Sequence, residues 1–175
     1  MSSSNVPLSS YLKQIRAQLE QSLCIRNFAS ESVERHNKPE IEMHPYTEDN
    51  YIILPPVLIS KNTDEKCLIE SSINSIRISI SIKKSDEIES VLVDRLCRFI
   101  EQRADEFSIL RRIAVVPYDI SFLITNTHID EMIKDKLIDY IIQFIEDINS
   151  EVSTLKLNVN SRARVVAHTF LSQFI

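Results

Sequence analysis

The side chains with the widest chemical repertoire in this sequence are three cysteines, Cys24, Cys67 and Cys97, and four histidines, His36, His44, His128 and His168. A thiolate beside an imidazole would support acyl transfer, and a converging set of such groups would hold zinc. The spacing favours neither. No two cysteines form a CxxC pair and no two histidines stand four apart, so ligands would have to converge through the fold alone. An odd number of well-separated cysteines offers no disulfide framework and fits reduced thiols in the cytosol. Cys67 lies in a strand-like stretch and Cys97 in a helical one, where a thiol acts as a small buried hydrophobe. The carboxylate pairs Asp86/Glu89 and Glu146/Glu151 fall on polar helix faces, where solvation and the helix dipole account for them. No nucleophile, base and orienting group can be assigned together. The expectation is therefore a protein that is not an enzyme and uses no cofactor or metal. A hydrolase built on Cys97 or Cys24 with a distant histidine is the catalytic alternative, and unperturbed thiol reactivity would dismiss it.

Four arginines invite a different chemistry. Arg111 and Arg112 are adjacent, so in a regular strand they project to opposite faces. One then meets the helix layer, where a bare guanidinium is costly unless it is paired or the strand has left the sheet. Arg162 and Arg164 diverge by about 200° around a helix. Arg162 flanks the apolar stripe there and Arg164 faces away from it. Solvated charge and contact with an acidic protein surface are the two readings for all four.

The sequence contains no glycine, against about 7% in an average chain. Loops that cradle phosphates need glycine for close backbone approach and positive φ. A P-loop, a dinucleotide fingerprint, a kinase lid and a GxSxG elbow are all excluded. The length of 175 residues fits one domain with a sizeable core, and 43% apolar with 26% charged residues is ordinary for a soluble globular protein. A formal charge of −5 offers no basic field for nucleic acid. No apolar run approaches the roughly 20 residues of a membrane helix. Residues 1–9 lack a signal-peptide core and read as a frayed tail, leaving 10–175 as the domain.

The elements that must position these groups follow from periodicity. Leu12, Ile15, Leu19 and Leu23 mark a helix over 10–23. Strand candidates lie at 40–44, 51–60 and 66–70, the second interrupted by Pro55-Pro56. Ile76, Ile78, Ile80 and Ile82 alternate with Ser75, Arg77, Ser79 and Ser81, predicting a strand over 73–83 with one packed and one wetter face. A helix capped by Ser85 runs to Glu106 on a core stripe of Ile88, Val91, Leu92, Leu96 and Phe99. Two strands over 107–116 and 118–125 pair around Pro117. Thr127-x-x-Asp130 opens a long helix along Ile133, Leu137, Ile141, Phe144, Ile148, Val152 and Leu155. A separate amphipathic helix follows Lys156-Leu-Asn-Val-Asn160. The order predicts an α+β two-layer domain with a mainly antiparallel sheet and helices on one face.

Two helices carry more apolar surface than one contact needs. Val93, Cys97, Ile100 and Ala104 form a second stripe on the middle helix, and Ile138 and Ile142 flank the main stripe of the long one. A helix apolar on two sides is buried on two sides, either within its own domain or against a partner. With Val166, Phe170 and Phe174 of the final helix, these residues are the expected partner interface.

Several strings carry a resemblance. They are Val33-Glu-Arg-His-Asn-Lys-Pro-Glu-Ile-Glu42, Ser72-Ile-Asn-Ser-Ile-Arg-Ile-Ser-Ile80, Asp86-Glu-Ile-Glu89, Ile109-Leu-Arg-Arg112, Tyr118-Asp-Ile-Ser-Phe-Leu-Ile-Thr-Asn126 and Asn158-Val-Asn-Ser-Arg-Ala-Arg-Val-Val-Ala167. From about Tyr11 to Phe174 the chain resembles the family of subunit 4 of the actin-related protein 2/3 complex. Met43 to Asn50 is longer than the family's usual connection, and Ser71 and Pro117 stand near positions where family members carry glycine. The resemblance implies a two-layer α-β(3)-α-β(2)-α sandwich with long C-terminal helices over about 128–174. It implies a non-catalytic, cytoplasmic core subunit of the assembly that nucleates branched actin filaments. Its partners would be subunit 2 in a heterodimer, the actin-related subunits and the mother filament, with no nucleic acid and no membrane insertion. Arg162 and Arg164 would lie in the family's filament-facing segment, and Arg111 and Arg112 would match its arginine pair. The alternative is a homodimeric, secretion-chaperone-like binding module.

Overall fold

Isoleucine at every second position of one strand sets the sheet, and the sheet sets everything else. A computed structural model describes residues 5–24, 39–43, 52–72, 74–102, 109–111, 113–125, 128–129 and 133–172. In chain order the elements are α1 (Leu8–Cys24), α2 (Glu40–Met43), β1 (Ile52–Ser60), β2 (Lys66–Ser72), β3 (Ser75–Ser81), α3 (Glu87–Gln102), β4 (Ile120–Thr125) and α4 (Lys134–Leu171). Among the described residues the strands form one antiparallel sheet in the order β1-β2-β3-β4. Ile78 stands opposite Ile69 on one side and Phe122 on the other, while Ile80 stands opposite Cys67 and Ile120. These side chains share one face because the register keeps the alternation in phase across strands. Helices α1 and α4 cover that face with Ile15, Leu19, Leu23, Leu137, Ile141 and Ile145, all buried. Phe144 of α4 meets the ring of Phe122 edge-on, 5.1 Å between centroids at 84°. The α+β two-layer class expected from the sequence is the observed one.

A chain without glycine turns on side-chain hydrogen bonds instead. At the β1–β2 turn, Asn62 Oδ1 accepts the amide N–H groups of Asp64 at 2.9 Å and Glu65 at 2.7 Å. At the β2–β3 turn, Ser72 Oγ accepts the Ser75 amide at 3.1 Å. Both use short polar side chains in place of an unhindered backbone. Pro55 and Pro56 lie on β1, an edge strand whose register slips between Leu54 and Val57, the position where prolines are tolerated.

Four expectations change. The strand at 40–44 is instead the short helix α2, held to the sheet by the Ile41 amide donating to Ser75 Oγ at 3.4 Å. The face of Ser75 and Ser79 is buried, not wet. There Ser79 and Ser121 share a hydroxyl bond of 3.1 Å, the Val115 amide donates to Ser121 Oγ at 3.0 Å, and Arg77 Nε binds Glu70 at 2.7 Å. Among the described residues, the pair of strands around Pro117 reduces to β4 and a single bridge, Leu110 opposite Phe122. The two C-terminal helices are one helix of 38 residues. The interruption expected at 156–160 contains no glycine or proline, and Asn costs a helix well under 1 kcal/mol.

A candidate protein-interaction surface on two helices

Helix α3 starts on a reciprocal cap. Asp86 Oδ1 accepts the Glu89 amide at 2.8 Å while the Glu89 carboxylate accepts the Ser85 amide. Asp86 therefore takes the capping role expected of Ser85. The Glu89 carboxylate also binds Lys156 Nζ of α4, and Asp86 lies 3.5 Å from the same ammonium. Burial works to raise the Glu89 pKa, but the Lys156 ammonium and the Ser85 amide overcome it and hold the carboxyl below its ordinary range. Hydrogen bonding to Glu89 raises Lys156 in turn. This ion pair ties the start of α3 to α4.

The packing buries the stripe that sequence periodicity turned outward. Val93 is fully buried at 0% exposure, and Ile138 and Ile142 are also in the chain's own core. The expectation that these three are open to a partner is corrected. Cys97 is half-buried against the same core. Of the stripe assigned to the core, Leu96 packs against it and Leu92 is half-buried, but Ile88, Val91 at 53% and Phe99 are exposed, with Arg95 between them. Residues 88, 95 and 99 fall within about 40° of one another around the axis, so they form one strip.

Helix α4 is about 57 Å long at 1.5 Å per residue. Its buried side chains end at Val152. Beyond that point the described side chains are exposed or half-exposed, among them Leu157, Arg162, Val165 and Val166. Of the other expected interface residues, Phe170 lies on α4 with its side chain outside the described set, as does the side chain of Arg164; Phe174 lies outside the described residues altogether. Arg112 also lies outside them. Arg111 Nε pairs with Glu42 of α2 at 2.7 Å, so it clasps the polar sheet face at the point where the chain leaves its single bridge.

Burial pushes the Cys67 thiol up to about 12 and the Cys97 thiol up to about 11, opposite to the activation a nucleophile needs. Among the described residues, no group of three His, Cys, Asp or Glu side chains could hold a metal ion. Nor is any described helix long and apolar enough to cross a membrane.

A model of the family described as ARP2/3 complex 20 kDa subunit (ARPC4) matches residues 2–173. The chain belongs to that family. Its similarity to family members runs nearly end to end. It is 53% identical over 174 residues to actin-related protein 2/3 complex subunit 4 of Dictyostelium discoideum, covering 99% of each chain. It is 49% identical over 168 residues to the subunit 4 of Saccharomyces cerevisiae, covering 96% of this chain and 97% of that one. It is 48% identical over 167 residues to the probable subunit 4 of Caenorhabditis elegans, covering 95% and 97%. Membership makes this a subunit of a multi-protein assembly of the actin cytoskeleton, for which an apolar strip on α3 and a projecting α4 are the surfaces at issue.

Proposed function

We propose that this chain is a non-catalytic core subunit of the actin-related protein 2/3 complex. In this reading it pairs with subunit 2 along α4, supports the two actin-related subunits, and faces the side of the mother filament in the cytoplasm. Residues 10–175 act as one rigid unit whose contribution is geometric. The observation that carries the reading is the outer half of α4. Some 19 residues beyond Val152 extend for about 29 Å without burying a described side chain. An unaccompanied helix of that length is marginal in water. Leu157 and Val166 lie about 180° apart around its axis, so one neighbouring helix leaves the other apolar side open. Contact on two sides fits a position inside an assembly. Val166, Phe170 and Phe174 belong to that contact, joined by Ile88, Val91 and Phe99 of α3, with Cys97 at its margin.

The filament-facing residues in this reading are Arg162, Arg164 and Arg112, together with the Glu42-bound Arg111 near the polar sheet face. The chain is to be co-expressed with subunit 2, carrying either Val165→Asp with Val166→Asp or Arg162→Glu with Arg164→Glu. The apolar pair of substitutions abolishes co-purification. The arginine pair leaves co-purification intact and weakens co-sedimentation of the assembled complex with actin filaments. Undiminished co-purification of the Val165/Val166 variant overturns the pairing through α4, and undiminished sedimentation of the arginine variant overturns the filament role.

A further inference from the structure

Tyr11 is buried on α1 at 2% exposure, and its hydroxyl has no hydrogen-bond partner among the described residues. A phenolic O–H left unpaired in an apolar interior loses the hydrogen bonds it made with water, a cost of about 1–3 kcal/mol. The surroundings are not wholly apolar. Tyr11 lines a cavity of about 10 Å³ together with Glu65, Asn149, Ser81, Ile145 and Ile148. That volume is about one water molecule by the same measure.

The polar groups around it have the right complement. Each Glu65 carboxylate oxygen already accepts one bond, Oε1 from Lys61 at 2.8 Å and Oε2 from Asn62, and each keeps a second lone pair. Asn149 spends its amide N–H on the Ile145 carbonyl at 2.8 Å, which leaves Oδ1 as an acceptor. Besides Ser81, the wall offers Tyr11 as a donor and Glu65 and Asn149 as acceptors, and a water molecule accepts one bond and donates two. We propose that this cavity is a binding site for a single ordered water, which accepts from Tyr11 Oη and donates to the Glu65 carboxylate and Asn149 Oδ1. The water joins α1, the β1–β2 turn and α4, one turn before α4 loses its buried face at Val152. Glu65, Ile82 and Asn149 also line a larger open groove of about 450 Å³ beside it. Desolvation chiefly, with the Cys67 and Glu65 charges adding to it, raises the Tyr11 pKa and keeps the hydroxyl a donor. The inference stands apart from the choice of partner for α4.

The test is a crystal structure of the assembled complex at a resolution that shows ordered water, beside thermal unfolding of complexes carrying wild-type chain or Tyr11→Phe. Removing one oxygen leaves the ring packing intact, so the variant folds. The expected result is a density peak about 2.7–2.8 Å from Tyr11 Oη, and a melting temperature about 2–4 °C lower in the variant. A cavity without that peak overturns the proposal. So does a higher melting temperature for Tyr11→Phe, because removing a hydroxyl that has no partner relieves the fold.

Discussion

Two valines on α3 test the assignment of its faces with the chemistry held constant. Val93 is fully buried and Val91 is 53% exposed, and two residues along a helix place them on nearly opposite sides. Either changed to alanine loses two methyl groups. At about 0.8 kcal/mol per buried methylene, transfer alone costs about 1.6 kcal/mol at Val93, and the residual cavity adds to that. Alanine is the better helix former by about 0.5 kcal/mol, a gain common to both sites that cancels in the comparison. Val93→Ala should therefore unfold about 2 kcal/mol more easily than Val91→Ala, with Val91→Ala near neutral. For a chain of this size the gap corresponds to about 4–8 °C in melting temperature. Urea titration of the full chain read by pulse proteolysis works at concentrations low enough to avoid self-association. Equal losses at the two positions, or a larger loss at Val91, would refute the face of α3 assigned to the core.

Glu89→Gln tests the Glu89–Lys156 ion pair by pH. Because the Glu89 pKa is depressed in the fold, its stabilising contribution is present above the ordinary carboxyl value of 4.5 and is lost as pH falls through the lowered one. The variant should be weaker at neutral pH with a flatter acid limb in a stability–pH profile, and an unchanged limb would assign the acid loss to other carboxylates. Arg77→Met leaves the Glu70 carboxylate buried without its 2.7 Å partner. The expected cost is about 3–5 kcal/mol in a denaturant titration, with most of it regained in the Arg77→Met, Glu70→Met double variant. A double variant no better than the single one would remove buried charge as the cause. Cys67, fully buried with its thiol pushed up to about 12, should resist alkylation at neutral pH until the chain unfolds. Labelling of folded protein at the rate of a free thiol would contradict its place under α1.

The legible parts of this sequence were those in which one physical term dominates. The isoleucine alternation of β3 has a single consistent phase, and burial of one sheet face fixes it with no help from elsewhere in the chain. Helix α3 is different, because Ile88, Val91 and Phe99 compete with Val93, Cys97 and Ile100 for the core and periodicity alone cannot rank two apolar stripes. The choice is made by the packing of Val93, Leu96, Cys97 and Ile100 on the core, with a tie from Glu89 to Lys156, 67 positions away. The serine face of β3 misled for a related reason. Serine reads as wet, yet hydroxyls that bond to one another and to loop amides can be buried at little cost, as Ser79 and Ser121 are. The candidate surface was legible in its kind, surplus apolar helix, but on α3 its members were inverted.

That inversion changes the argument for a partner without removing it. If Val93, Ile138 and Ile142 complete this chain's own core, the domain needs no neighbour to cover them and its body is self-sufficient. The exposed large apolar side chains include Ile88, Val91 and Phe99 on α3 and Leu157, Val165 and Val166 on the half of α4 that has left the body, besides Leu58, Ile113, Val116 and Ile133 elsewhere, with Lys156 at the point where α4 departs. A helix anchored through seven buried side chains from Leu137 to Val152 has its direction set by the core, so the outer half inherits that direction with no interrupting glycine or proline. Stability of the body and orientation of the exposed helix are therefore separable properties. Substitutions at Val93 or Leu137 act on the first, whereas substitutions at Lys156 or Glu89 weaken the body and also remove the ion pair that ties α3 to α4.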